Sequence, residues 1–328
     1  MCSATGAYTP TLRIVRLMPP APHRGQARVG SGSRLPSRSS SPHNMTSPGP
    51  ATEMPETDIT TTGLEESLVI AFSIAKFKKA INARLQAITD GDDTQQWVVF
   101  SSFDPSKLKS IDRLHYPIRL HIENNKLIVK VVTKVHEMMH RGLFSHIQLD
   151  MNSMGLRPSF DYTQPGAGQH EHRSGNSWKE ADSTLAPLGP DSWPSLVVEA
   201  GWSESLAHLR IVAQWWLSAQ LPPNSTTIVV LISFKRSQRT FRLERYEIAN
   251  AAGPITRAAP LGARNVGMCT TFTTIDLRQT PPATTGAPFV LPFTKVMGRP
   301  PAGTERDISL SAATLQRWAL SIAERWRL

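Results

Sequence analysis

The segment from Lys179 to Trp216 constrains the fold of this chain more than any other stretch. It combines a polar strand that ends at Asp182, a proline-bracketed turn, the apolar run Ser195–Val198 and an amphipathic helix. The apolar run favours a strand that delivers Glu199 to its end, and Gly201 breaks that strand. Two carboxylates at the ends of adjacent strands can hold a divalent metal through oxygen ligands. The same pattern also fits two acids without a joint role, and the residues alone leave this alternative open.

Several other segments show strand periodicity. Ile118–Ile122 and Lys126–Val132 alternate between apolar and polar residues across a short Glu-Asn-Asn turn, which predicts a β-hairpin. Thr227–Phe234 is the most strand-like run, and Phe241–Ile248 alternates back as its partner. Together with the helical segments, these strands predict the α/β class.

Helical periodicity recurs at three places outside the central segment. Apolar residues at helical spacing predict helices over 63–89, from Thr133 to about Met154, and over 309–327. Between the last strands, residues 249–270 are rich in Ala and Gly and are interpreted as an insertion. The hydrophobic fraction of 40% is enough for a sizeable core.

Composition restricts the class of protein further. The two cysteines, Cys2 and Cys269, lie far apart and predict neither a disulfide framework nor a cysteine zinc site, which fits a reducing, intracellular compartment. No apolar run approaches the ~20 residues of a membrane span, so no membrane partner is expected. The formal charge of +10 favours anionic partners such as nucleic acid.

The first 62 residues differ from the rest of the chain. They are rich in Ser, Pro, Gly and Arg, and we expect a disordered basic tail because such a segment buries too little apolar surface to offset the entropy of ordering. The arginines and serines also fit a mitochondrial transit peptide, which leaves nuclear, cytoplasmic and mitochondrial locations open. The remaining residues, 63–328, are interpreted as one domain.

His136-Glu137-Met138-Met139-His140 is a literal H-E-x-x-H motif. Histidines at i and i+4 share one helix face and can bind Zn²⁺, with the Glu as general base. His146 occupies the place of a third zinc ligand in the longer protease motif, but Gly142 is one position early and the stretch reads as one continuous helix. A zinc metallopeptidase is therefore one alternative function. The other interpretation of the motif is a helix whose histidines lie on its surface without a functional role.

The order of these features resembles a known superfamily. A hairpin, a helix with His136-Glu137, K-E-A-D at Lys179–Asp182, then L-V-V-E-A-G-W-S-E-S and a helix with a Trp-Trp end resemble a fungal group of PD-(D/E)XK (restriction endonuclease-like) proteins. The pattern is close to that of the bacterial Uma2-type proteins. The resemblance covers about 116–248, and it implies a restriction endonuclease-like core in which a helix, a mixed and mainly antiparallel sheet and a second helix carry extra flanking helices.

The resemblance also implies a site. By position, Asp182 and Glu199 match the two strand acids of the superfamily, and Glu137 matches the helix acid; these three would hold Mg²⁺ or Mn²⁺. The lysine of the motif is missing, because Gly201 stands two residues after Glu199. Lys235, at the end of the following strand, and Lys179 are the candidate substitutes. Lys179 is the weaker of the two because it lies three residues from Asp182 on a predicted strand.

The function implied by this resemblance is metal-dependent hydrolysis of phosphodiester bonds in DNA, with Asp182, Glu199 and Lys235 as catalytic residues. Without the usual lysine, a catalytically inactive relative fits the sequence equally. A third alternative is a non-enzymatic interaction module on the same fold. The sequence does not indicate the oligomeric state or the nucleic-acid substrate.

Overall fold

A computed structural model of the chain describes residues 69–92, 96–166, 168–189, 193–202, 206–250 and 265–326. The predicted tail, 1–62, lies outside the described residues, as does most of the predicted insertion. Two β-sheets and the helices around them form mixed α/β architecture, as the periodicity predicts.

The first sheet contains six strands, in the order β1-β2-β4-β3-β7-β6. Their bounds are β1 (Val69–Ala71), β2 (Trp97–Ser101), β3 (Ile118–Glu123), β4 (Lys126–Val131), β6 (Gln169–Glu171) and β7 (Ser177–Glu180). β3 and β4 form the predicted hairpin, with Asn124 and Asn125 at positive φ in its two-residue turn. Asparagine tolerates this left-handed conformation, which is why the turn is sharp.

The second sheet contains seven strands, in the order β13-β12-β11-β10-β9-β8-β5. Their bounds are β5 (Tyr162–Thr163), β8 (Ser183–Pro187), β9 (Leu196–Gly201), β10 (Ile228–Lys235), β11 (Thr240–Asn250), β12 (Asn265–Asp276) and β13 (Ala283–Thr285). β9 and β10 are parallel, while β8 is antiparallel to β9 and β11 is antiparallel to β10. A further pair, β14 (Phe289–Leu291) and β15 (Ile308–Leu310), is antiparallel.

The helices cover the faces of the sheets. Their bounds are α1 (Ile74–Thr89), α2 (Leu108–Asp112), α3 (Lys134–Ser153), α4 (Leu206–Ser218), α5 (Phe293–Met297) and α6 (Ala312–Trp326). α3 and α6 share an apolar core with Val198 and Ala200 of β9, whereas α4 packs with Val197. Since side chains alternate along a strand, α3 and α4 cover opposite faces of β9.

Three predicted elements differ at their ends from the structure. The predicted helix over 63–89 begins only at Ile74, because Val69–Ala71 pairs in parallel with β2 and Ser73 caps the helix. The predicted closing helix begins at Ala312, since residues 308–310 form β15. The predicted insertion is strand at both described ends, where β11 reaches Asn250 and β12 starts at Asn265. Helical and strand periodicity each located the core of an element but not its boundary.

Among the helices of the described residues, none is both long and apolar enough to span a lipid bilayer.

Candidate functional site

Asp182 lies at the junction of the two sheets. Only Ala181 and Asp182 separate β7, in the first sheet, from β8, in the second. Its Oδ2 accepts a hydrogen bond from the backbone N–H of Ala200 at 2.9 Å and lies 2.9 Å from Nε2 of His136. The carboxylate is 1% exposed, so these contacts replace nearly all of its hydration.

Two cations from the β3–β4 hairpin approach the same carboxylate. Lys130 Nζ lies 3.6 Å from Asp182 Oδ2 and donates to the carbonyl oxygen of Ala200 at 2.6 Å. Arg119 Nε lies 3.8 Å from Asp182 Oδ1. Burial alone would raise the pKa of Asp182, but the neighbouring His136 and Lys130 hold that pKa well below its usual range. Asp182 is therefore ionised at neutral pH.

The first turn of α3 faces this carboxylate. Thr133 caps the helix by accepting a hydrogen bond from the N–H of His136 at 3.1 Å, which fixes where the first turn points. Glu137, one residue further, contacts Arg119 at 2.8 Å and Arg141 at 2.6 Å. Burial would raise the pKa of Glu137, but contacts with His140 and these two arginines lower it to about 2.

His136 and His140 are both buried, one helical turn apart. Each ring has one nitrogen engaged: His136 Nε2 with Asp182, and His140 Nδ1 with Ser183 Oγ at 2.8 Å. The opposite nitrogens, His136 Nδ1 and His140 Nε2, have no hydrogen-bond partner among the described residues. They lie 4.0 Å and 3.4 Å from Glu137 Oε1, so three potential ligand atoms converge within the first two turns of α3.

Glu199 points toward α4, on the other face of β9. Its Oε1 accepts a hydrogen bond from Trp216 Nε1 at 2.6 Å and lies 3.8 Å from Lys179 Nζ. Burial raises the pKa of Glu199 to about 7, and the charge of Asp182 acts in the same direction, while Lys179, Lys130 and Trp216 oppose it. A large fraction of Glu199 is therefore protonated at neutral pH.

Of the three predicted acids, Asp182 borders both of the others: it shares Arg119 with Glu137 and adjoins Glu199 along the backbone where β8 and β9 pair. Ser183 pairs with Val198, which places Asp182 alongside Glu199 at the β8–β9 edge. Glu137 lies with α3 and is surrounded by arginines, on the side of β9 that Glu199 does not face. The joint metal site of these three acids stays a prediction.

The missing lysine has two buried candidates. Lys235 is exposed at the last position of β10, whereas Lys130 and Lys179 are buried and lie close to the strand acids. Sequence reasoning missed Lys130 and Arg119. They oppose each other across the β3–β4 hairpin, and two cations at a directly paired position are unfavourable without nearby acids. That like-charge pair on the predicted hairpin is the signal that could have indicated a carboxylate partner.

His146 does not join the histidine cluster. It lines a separate groove of about 570 Å³ with Asp150 and Arg317, as expected for a continuous helix. Comparison with protein-family models and with curated proteins finds no match for this sequence. The geometry around Asp182, Glu199 and the start of α3 is therefore the basis for the proposed function.

Proposed function

We propose that this protein is a divalent-metal-dependent phosphodiester hydrolase of the PD-(D/E)XK type, acting on DNA. The observation that carries the proposal is that β8 and β9 bring Asp182 alongside Glu199, while Lys130 of β4 places its Nζ 3.6 Å from Asp182. The order α3, β8, β9, α4, β10, with β9 and β10 parallel, supports the restriction endonuclease-like core.

The residues divide the roles as follows. Asp182 and Glu199 would hold Mg²⁺ or Mn²⁺, ions that prefer carboxylate oxygens. Asp182 Oδ1 has no hydrogen-bond partner among the described residues, which leaves it open to a metal. The ion, when bound, neutralises phosphate oxygens and lowers the pKa of a water molecule.

Lys130 takes the role that Gly201 cannot fill. Its ammonium group binds the carbonyl oxygen of Ala200, directly after Glu199, and lies next to Asp182. A buried ammonium group at this place stabilises negative charge that develops on a phosphate. The proposal leaves Glu137 outside the magnesium site because Glu137 lies on α3, on the side of β9 that Glu199 does not face.

A catalytically silent interaction module on the same fold is the second candidate. It is favoured by the burial of the acids, since the side chains of Asp182 and Glu199 are 1% and 2% exposed. A phosphate group reaches carboxylates this deeply covered only if the surrounding elements open. The zinc metallopeptidase is not proposed, because His146, the third ligand of the longer protease motif, lies apart from His136 and His140 in a separate groove.

Cleavage assays with purified full-length protein test the proposal. Supercoiled plasmid and labelled single- and double-stranded oligonucleotides are incubated with Mg²⁺ or Mn²⁺, with EDTA as the blank. We expect metal-dependent cleavage, and we expect Lys130→Met to lower the rate by about 100-fold or more, the size found when one stabilising charge is removed.

Lys235→Ala is the matched control, since Lys235 is exposed at the last position of β10, whereas Lys130 is buried. We expect it to retain the wild-type rate, and circular dichroism establishes that both variants fold. Cleavage that depends on Lys235 but not on Lys130 contradicts the assignment of the lysine. Absence of cleavage with every metal and substrate, by folded wild-type protein, supports the silent module instead.

A further inference from the structure

We propose that the first two turns of α3 form a binding site for one divalent transition-metal ion of the Zn²⁺ type, held by His136 Nδ1, His140 Nε2 and the carboxylate of Glu137. These ligand atoms lie within 4.8 Å of one another. Spacing i, i+4 on one helix turn brings the two imidazoles together, and their ring centroids are 5.1 Å apart.

The opposite nitrogens fix the state of both rings. Asp182 Oδ2 accepts a hydrogen bond from the N–H of Ala200 and lies 2.9 Å from His136 Nε2, so with Nε2 as the donor of this contact His136 Nδ1 presents a lone pair. His140 Nδ1 is 2.8 Å from the Ser183 hydroxyl, which can accept a hydrogen bond from the Nδ1–H group and leave Nε2 with a lone pair. Metal-ligating histidines usually donate their second N–H to a carboxylate or another oxygen in this way.

Both histidines bury a ring nitrogen that lacks a hydrogen-bond partner. His136 is 0% exposed and His140 is 0% exposed, and neither of the two inward nitrogens is hydrogen-bonded within the described part of the chain. Buried polar atoms without partners are uncommon and call for an explanation such as an ion. A metal ion between these nitrogens and Glu137 satisfies both at once.

The donor set selects the class of metal. Two imidazole nitrogens and one carboxylate oxygen suit Zn²⁺, Co²⁺ or Ni²⁺, whereas Mg²⁺ and Ca²⁺ prefer oxygen ligands alone. Ligand atoms about 2.1 Å from a tetrahedral zinc lie about 3.4 Å apart. His140 Nε2 already lies 3.4 Å from Glu137 Oε1, and His136 Nδ1 has to approach that oxygen from 4.0 Å.

The positive charge of Arg119 opposes metal binding at Glu137. Its guanidinium contacts Glu137 Oε1 at 2.8 Å, so a metal ion shares that carboxylate with a positive charge. Replacing this charge by a neutral side chain removes the repulsion. We therefore expect Arg119→Gln to bind zinc more tightly than the wild type, opposite to the effect of replacing a ligand.

The site is distinct from the proposed magnesium site. Asp182 supports His136 through Oδ2 and does not itself bind the transition metal, and Glu199 takes no part. Zinc binding measured without Mg²⁺ or DNA is therefore independent of the outcome of the cleavage assay.

The experiment is calorimetric titration of the tag-free, full-length protein with Zn²⁺, together with visible absorption spectra after addition of Co²⁺. We expect one zinc ion per chain and a Co²⁺ spectrum typical of low coordination number. His140→Ala and Glu137→Gln should abolish this binding event. Ser183→Ala, which keeps every ligand but removes the partner of His140 Nδ1, should weaken it about tenfold or more.

His146→Ala is the matched control, because His146 lies on the same helix but lines a different groove. We expect it to bind zinc as the wild type does. The proposal is overturned if folded wild-type protein binds no zinc, or if the zinc affinity is the same after His140→Ala as before. If His140→Ala does not fold, unchanged affinity in Ser183→Ala together with Arg119→Gln overturns it equally.

Discussion

Strand β9 has a buried carboxylate at each of its two helix-covered sides, and their ionisation differs. Asp182, which contacts α3, has a pKa well below its usual range, whereas Glu199, which faces α4, has a pKa raised to about 7. Both side chains are almost fully buried, so burial alone does not explain the difference. The number of charged and N–H groups around each carboxylate does.

The α3 side supplies Asp182 with His136, Lys130, Arg119 and a backbone N–H. The α4 side is mainly aromatic: Trp216 gives Glu199 one hydrogen bond, and Lys179 stays at 3.8 Å. His170 packs edge-on against Trp193 and Trp216 in the same aromatic group. The comparison shows that the groups on the α3 side keep the Asp182 carboxylate ionised, whereas the aromatic surroundings on the α4 side favour the neutral form of Glu199.

The largest expected effect comes from removing the negative charge of Asp182. Asp182→Asn keeps the shape of the side chain but leaves Lys130 and Arg119 without their shared counter-charge, so we expect a loss of about 3–5 kcal/mol in the free energy of unfolding. Glu199→Gln resembles the protonated acid and should cost less than about 1 kcal/mol at pH 6. Urea denaturation of both variants at pH 6 measures the difference.

Equal losses in the two variants would break the comparison. They would mean that Glu199 is ionised in the folded protein and that Lys179 compensates it as fully as Lys130 compensates Asp182. A loss in Glu199→Gln alone would reverse the two assignments.

A second prediction concerns the acid dependence of the α4 side. Burial lowers the pKa of His170 to about 4, against about 6.5 in an unfolded chain. A lowered histidine pKa gives stability that is present above pH 6.5 and is lost as the pH falls through 4. We expect His170→Gln to lose about 2 kcal/mol less than the wild type between pH 7 and pH 4.5.

Denaturant midpoints measured at several pH values check this difference. His136, whose pKa is also lowered, contributes equally to both proteins, so its share cancels. If the free energy of unfolding changes with pH in the same way in both proteins, His170 is hydrated enough to accept a proton in the folded state. The surroundings of Glu199 on the α4 side would then be less apolar than the comparison requires.

Local patterns in the sequence were sufficient for the elements that position the site. Alternation predicted the β3–β4 hairpin and the β10–β11 pair, and helical spacing predicted α3 to within one residue at each end. Thr133 before His136 is the residue type that begins a helix. These features depend on neighbours in sequence, which is why reading the chain alone recovers them.

The surroundings of the acids depend on distant residues. Lys130 reaches Asp182 because the hairpin and β8 belong to different sheets that meet at Ala181–Asp182. No spacing in the sequence connects positions 130 and 182, so the sequence indicated Lys235 and Lys179 as substitutes for the missing lysine, and not Lys130. Likewise, the assignment of Glu199 to the α4 side follows from the parity of β9 and the packing of two helices, which a single strand pattern does not give.

The smallest predicted effect sharpens the comparison at the start of α3. Thr133→Ala removes the hydroxyl that accepts the N–H of His136, and we expect the free energy of unfolding to fall by about 1 kcal/mol. Thr133→Ser keeps the hydroxyl and should lose less than half of that amount. Hydrogen exchange at the His136 amide, measured in both variants, is the direct check. Faster exchange in Thr133→Ala alone would mean that the cap orients the start of α3, which carries His136, Glu137 and His140. Equal exchange in the two variants would mean that the hydrogen bond between His136 and Asp182 holds the start of the helix without the cap.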